Sequence, residues 1–163
     1  MLRGDPSRIV AVELALSRTA QEKGQWTAFA DFAAADAVMF VPQPVMAKDW
    51  LDRQARPAEA TARDVRQVWV SCDGPLAVSR GALQRQDGTP AYFVTVWQRQ
   101  PDGSYKWMMN QAGPLPQLTA QPEMIQAAVA DCSRPSTAPP PEIAATGRGL
   151  QGRKPALAGT DPG

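Results

Sequence analysis

The stretch Val65–Gln111, VRQVWVSCDGPLAVSRGALQRQDGTPAYFVTVWQRQPDGSYKWMMNQ, decides the fold. Three Asp-Gly pairs, Asp73-Gly74, Asp87-Gly88 and Asp102-Gly103, cut it into four runs with apolar residues in alternation. Asp-Gly between such runs is a strong hairpin signal, because glycine supplies the positive φ that a tight turn needs. The predicted strands are Val65–Ser71, Leu76–Gln86, Ala91–Gln100 and Tyr105–Gln111, joined as an antiparallel meander. In the third, Tyr92, Val94 and Val96 alternate with Phe93, Thr95 and Trp97, so both faces carry apolar side chains and both need a cover. Helices are expected on one face. Phe93, Trp97 and Trp107 are assigned to the other, where a second copy of the chain would bury them.

Upstream, Pro6 suits a first helical turn, and Ile9, Val12, Leu16 and Ala20 recur near helical spacing, so a helix is predicted over Pro6–Lys23 and ended by Gly24. A second helix over Gln25–Ala34 carries Trp26, Phe29, Ala30 and Ala33 on one stripe. Ala37–Val41 reads as a short strand stopped by Pro42 and Pro44, which lack ladder donors. Ala47–Gln54 reads as a short amphipathic helix around Trp50 and Leu51, and Ala55–Arg63 as loop. After the meander, Met124, Ile125 and Val129 suggest a helix over Pro122–Asp131. Helical hairpin, short strand, short helix and meander make an α+β domain.

The 163 residues suffice for one domain, placed at 1–131, with 132–163 as a Pro/Gly-rich tail. From Ser133 onward six prolines and five glycines surround only Ile143, Leu150 and Leu157 as large apolar residues, too little burial to offset ordering entropy, so the tail is expected to be disordered. A net charge of +1 with scattered Lys and Arg gives no footprint for nucleic acid. No apolar run approaches the roughly 18–20 residues that cross a bilayer. Met1–Ala20 fails as a secretory signal because Glu13 interrupts the apolar run and Arg18 follows it. A cytoplasmic location follows as written, or export if a signal lies upstream or if Cys72 and Cys132 pair. These cysteines lack metal-ligand spacing and the chain contains no His, so neither a metal site nor a cofactor is expected. They stand either as two free thiols or as a bridge closing a loop of about 60 residues. The first meander strand and the helix after the meander border the sheet's end, which puts the two within bridging reach.

Asp36-Ala-Val-Met-Phe-Val-Pro42, Val96-Trp-Gln-Arg99 and Asp102-Gly-Ser-Tyr-Lys-Trp107, taken with the order of elements, resemble the nuclear-transport-factor-2-like (NTF2-like) superfamily in its DUF4440/SnoaL-like branch. The resemblance runs from about Ser7 to Gly113. It implies a cone-shaped curved antiparallel sheet of about four to five strands with a helical hairpin and a short helix. It also implies a polar pair facing the interior on the last strand, where the branch commonly has Asp-His after a Trp-x-x. Here Trp107-Met-Met-Asn110-Gln111 stands in that place. An amide pair forms hydrogen bonds but shuttles no protons near neutral pH. Strict alternation sets Lys106, Met108 and Asn110 against Tyr105, Trp107 and Met109, so Trp107 outside means Asn110 inside.

The candidate ligand pocket is Trp26, Phe29, Phe40, Trp50, Trp69, Tyr92, Met108 and Asn110, an apolar lining with one amide. No catalytic residue is assigned. Asp31, Asp36, Asp49, Asp52 and Asp64 sit at helix ends, at turns or beside cations, where solvated Asp is ordinary. Ser71 and Ser79 have no His to activate them, and no glycine-rich phosphate loop opens a helix. The expected function is a non-catalytic module that binds a small apolar molecule or forms a homodimer, without nucleic-acid or membrane partners. The alternative is a lyase or isomerase acting on a hydrophobic substrate with a buried carboxylate as base.

Overall fold

The computed structural model describes residues 3–133. The expected tail lies outside the described residues from position 134 onward. Helix α1 (Pro6–Lys23) begins with the Asp5 side chain accepting the Ser7 N–H at 2.9 Å and ends at Gly24, whose N–H bonds the Ala20 carbonyl. Its buried face is Ile9, Glu13, Leu16 and Ala20, one stripe in which a carboxylate sits among apolar residues. Helix α2 (Gln25–Phe32) follows at once and runs directly into strand β1 (Ala33–Phe40). It is shorter than expected because Ala33 already has extended dihedrals. Strand β2 (Pro44–Met46) doubles back on β1, and helix α3 (Ala47–Asp52) buries Ala47 and Leu51.

The meander forms as its turns predict: β3 (Ala62–Val70), β4 (Leu76–Gln84), β5 (Pro90–Arg99) and β6 (Tyr105–Pro114), with the turn glycines at φ of 84–92°. The expected loop before it ends early, since Ala62 and Arg63 already pair with β4. The sheet as a whole corrects the expectation of a cone. It has seven strands in the order β2-β1-β6-β5-β4-β3-β7, and it is mixed, because β1 runs parallel to β6 and β3 parallel to β7. Its two ends, β2 and β7, remain edges, so it is an open sheet and not a cone-shaped antiparallel one of four to five strands. The extra strands come from segments too short to register as strands by alternation: the three residues of β2 and the four of β7 (Gln126–Val129).

β7 also replaces the helix expected over Pro122–Asp131. Met124 and Ile125 are exposed, so a helix there would have no core for its apolar face; the segment instead satisfies its backbone groups by pairing Gln126–Val129 with Gln67–Val70. Just past these paired strands Cys72 and Cys132 are joined by a disulfide, with 5.6 Å between their Cα atoms, as their predicted proximity requires.

The core lies between the helices and the sheet face that carries Phe93, Trp97 and Trp107, all three fully buried. Their assignment to an outer, dimer-forming face is therefore corrected. Helix and strand together supply the polar partners that let both indoles go inside: Trp97 Nε1 donates to Glu13 of α1 at 3.2 Å and to Ser79 Oγ of β4 at 3.0 Å, and Trp107 Nε1 donates to the Phe29 carbonyl of α2 at 3.0 Å. The outer face is the Tyr92, Val94, Val96 side of β5, half-buried throughout.

Candidate functional site

A β-bulge builds the site. Trp97 pairs with Trp107 and Val96 with Met109, so Met108 is an extra residue on β6. The bulge resets the alternation, and Asn110, opposite Thr95, faces the helices together with Trp107. Alternation alone set these two on opposite faces; Asn110 is interior, but not for the reason that Trp107 is exterior.

In front of Asn110 opens a cleft of about 650 Å³, inside the roughly 300–1,000 Å³ range of small-molecule sites. One wall is Trp26 and Phe29 of α2; another is Met39 and Phe40 of β1 with Val41 and Pro42. Arg63 and Asn110 stand at its base, while Arg85 and Asp87 of the β4–β5 turn stand at its rim. Behind the aromatic wall the rings continue edge to face, Trp26 to Phe29 at 6.4 Å, Trp26 to Trp50 at 5.1 Å and Phe29 to Trp107 at 5.8 Å between centroids.

Four of the eight candidate pocket residues thus meet: Trp26, Phe29, Phe40 and Asn110 line the cleft. Trp50 supports Trp26 from behind. Trp69, 42% exposed, pairs with Val78 on the outer face, and Tyr92 lies outside too, against Gly113. Met108, half-buried in the bulge, is not among the cleft's lining residues. Asp31, Asp36, Asp49 and Asp52 are exposed, and Asp64 accepts from Arg66 at 3.0 Å and from Gln121. Among the described residues no group of three or more acidic or thiol side chains is placed to hold a metal ion.

Sequence reasoning missed the polar network under the cleft. Arg63 donates from Nε to Glu13 Oε2 at 2.8 Å and from Nη2 to Glu13 Oε1 at 3.0 Å and Thr95 Oγ1 at 2.8 Å. Thr95 Oγ1 donates in turn to Asn110 Oδ1 at 2.8 Å. Ser79 Oγ donates to Glu13 Oε1 at 2.5 Å. The Arg63 guanidinium carbon lies over Phe93, 3.6 Å from the ring centroid, and 5.8 Å from that of Phe29. The signal for Glu13 was present in α1: it sits four residues after Ile9 and three before Leu16, on the helix face that must be buried.

The network has a direction. Thr95 Oγ1 accepts from Arg63, which can only donate, and gives its one hydroxyl hydrogen to Asn110 Oδ1. Asn110 therefore presents Oδ1 to Thr95 and Nδ2 to the cleft. Glu13 accepts four hydrogen bonds, Oε1 from Arg63, Ser79 and Trp97 and Oε2 from Arg63. At the rim, the Thr89 hydroxyl and N–H, followed by the Arg85 charge, hold the exposed Asp87 carboxyl below its ordinary range.

No protein-family model matches this chain, and no curated protein matches it. Solved structures do. A ketosteroid isomerase-like protein from Erwinia carotovora atroseptica is 16% identical over 69% of this chain and 97% of its own, with a TM-score of 0.51. An NTF2-like protein of unknown function from Methylobacillus flagellatus is 15% identical over 67% of this chain and 90% of its own, also at 0.51. The likeness concerns the fold, which is NTF2-like.

Proposed function

We propose that this chain is a non-catalytic binding module of the DUF4440/SnoaL-like branch that holds a small apolar molecule in the cleft between α2, β1 and β6. Residues 1–131 form the module in this reading, and 132–163 follow it as a Pro/Gly-rich tail. One observation carries it: among the described residues the one buried carboxylate near the cleft, Glu13, accepts four hydrogen bonds, is 1% exposed and lies behind Arg63, out of reach of the cleft. A general base needs a free lone pair within reach of substrate. Asp87, the carboxylate at the rim, is exposed and held ionised, the opposite of a desolvated base with a raised pKa. This weighs against a lyase or isomerase. The bridged cysteines support an oxidising compartment, hence export.

Titration with 2-ethylnaphthalene, followed by the change in tryptophan emission, tests the reading, since Trp26 lines the cleft. Saturable one-to-one binding is expected in the wild type, with loss of binding in Ala112→Trp, which fills the cleft mouth. Binding unaffected by that substitution overturns it, as does failure of this hydrocarbon and of its ketone and carboxylate counterparts alike to saturate.

A second reading, homodimerisation, is favoured by the outer face. Val38, Met109, Val96, Val78 and Trp69 are successive cross-strand partners and form one apolar row over five strands. A row that long on an open sheet face suits an isologous contact. Sedimentation should report twice the chain mass, and Val96→Glu should halve it; a wild-type monomer at micromolar concentration overturns this reading.

A further inference from the structure

We infer that the molecule the cleft takes is an uncharged flat compound bearing a carbonyl acceptor, and that the corresponding carboxylate is rejected. This rests on the binding role proposed above and adds the chemistry of the ligand.

The first observation is the polarity of two amides. Gln25, at the start of α2, accepts the Thr61 backbone N–H on Oε1 at 3.2 Å; a backbone N–H only donates, so the amide orientation is set and Nε2 is turned away from that bond. Asn110 accepts from Thr95 on Oδ1 at 2.8 Å, while Thr95 Oγ1 itself accepts from Arg63. Among the described residues neither Nε2 of Gln25 nor Nδ2 of Asn110 has a protein partner, yet no buried polar side-chain atom there lacks one. Both NH₂ groups therefore reach open space. Both residues line this cleft. These two amides thus offer hydrogen-bond donors, with their oxygens already engaged by protein, whereas the exposed Gln86 on the β4–β5 turn donates its own Nε2 to the Glu59 carbonyl at 2.8 Å.

The second observation is charge. Arg63 at the base is compensated by a bidentate Glu13, and Arg85 at the rim lies close enough to Asp87 to lower its pKa. The charges around the cleft cancel in pairs. An anion entering it would lose its hydration and meet no net positive charge in return, whereas a carbonyl oxygen is satisfied by one or two N–H donors. Apolar walls of Trp26, Phe29, Met39 and Phe40 take the body of the molecule.

Three probes of one shape test this: 2-acetonaphthone, 2-naphthoate and 2-ethylnaphthalene, each titrated by isothermal calorimetry into the full chain at pH 7. The ketone should bind at least tenfold more tightly than either of the others. In Asn110→Ala, with unchanged circular dichroism, its affinity should fall to that of the hydrocarbon; should that variant not fold, Asn110→Ser, which shortens the donor, should give at least a fivefold loss. Naphthoate binding as tightly as the ketone overturns the uncharged-carbonyl class while leaving the binding role intact. So does a ketone that keeps its preference in the Asn110 variant. Failure of all three to bind overturns the binding role and, with it, this inference.

Discussion

Arg63 grips Glu13 through two parallel hydrogen bonds of 2.8 and 3.0 Å, with 4% of one side chain and 1% of the other exposed to solvent. The pair links α1 to β3 across 50 residues of chain, at the point where the helix crosses the sheet. Removing one partner strands the other charge in the core, so Glu13→Ala or Arg63→Met should each cost about 3–5 kcal/mol in urea unfolding. The double variant Glu13→Leu/Arg63→Met leaves no charge behind and should recover most of that loss. A double variant as unstable as the sum of the two singles would mean that the charges do not depend on each other.

How far this was legible in the sequence differs by element. The Asp-Gly turns are local chemistry, and the meander they predict is the meander observed. β7 was not legible, because a four-residue strand is chosen by the unpaired edge of β3 and by Cys72, both distant in sequence. Asn110 was placed inside by an argument with a wrong premise, since nothing in Met108-Met109 announces a bulge. Arg63 looked like the end of a loop. Its role depends on Glu13, Thr95 and Phe93, which only the tertiary fold assembles.

Reduction of the disulfide should loosen one edge of the sheet selectively. The bridge closes a loop with a sequence separation of 60, for which chain entropy gives about 4 kcal/mol. β7 has only four paired residues and little burial of its own, so it depends on that bridge most. In Cys72→Ser/Cys132→Ser, amide exchange at Ala127–Val129 should accelerate well before that of Val94–Trp97. Equal acceleration at both places would show that β7 is held by packing and not by the staple.

Asp87 and Asp102 both cap their turns through a hydroxyl and a backbone N–H, from Thr89 and Ser104, and both carboxyls are lowered from 3.8, chiefly by the side-chain bond. A folded-state pKa below the unfolded one makes the ionised form the stabilising one. The contribution is therefore present above the unfolded value near pH 3.8 and is lost as pH falls through the folded value. Carboxyl titration by NMR should give a midpoint for Asp87 below 3.8 in the wild type and nearer to it in Thr89→Val, with Asp102 unmoved. A midpoint unchanged by the substitution would mean that the hydroxyl is not the cause.

Gly81 should be the least replaceable residue under the network. It lies on β4 between Val65 of β3 and Phe93 of β5, on the face toward the helices. A Cβ there would come within 1.9 Å of the Asp64 carbonyl oxygen and 2.8 Å of Phe93 Cε1. The bulge in β3 between Val65 and Gln67 lies beside this close approach, and Phe93 is the ring on which the Arg63 guanidinium rests. Gly81→Ala must therefore move backbone on one side and the seat of Arg63 on the other. The expected loss is at the upper end of the roughly 1–3 kcal/mol for overpacking, or beyond it, because a strand cannot retreat as a side-chain tip can. Two contacts of different length make the cause separable. If the Asp64 carbonyl dominates, Phe93→Leu should not rescue Gly81→Ala, and the two losses in urea unfolding should add or exceed their sum. Rescue by Phe93→Leu would transfer the cause to the ring, and Gly81 would then be kept for the stacking of Arg63 alone.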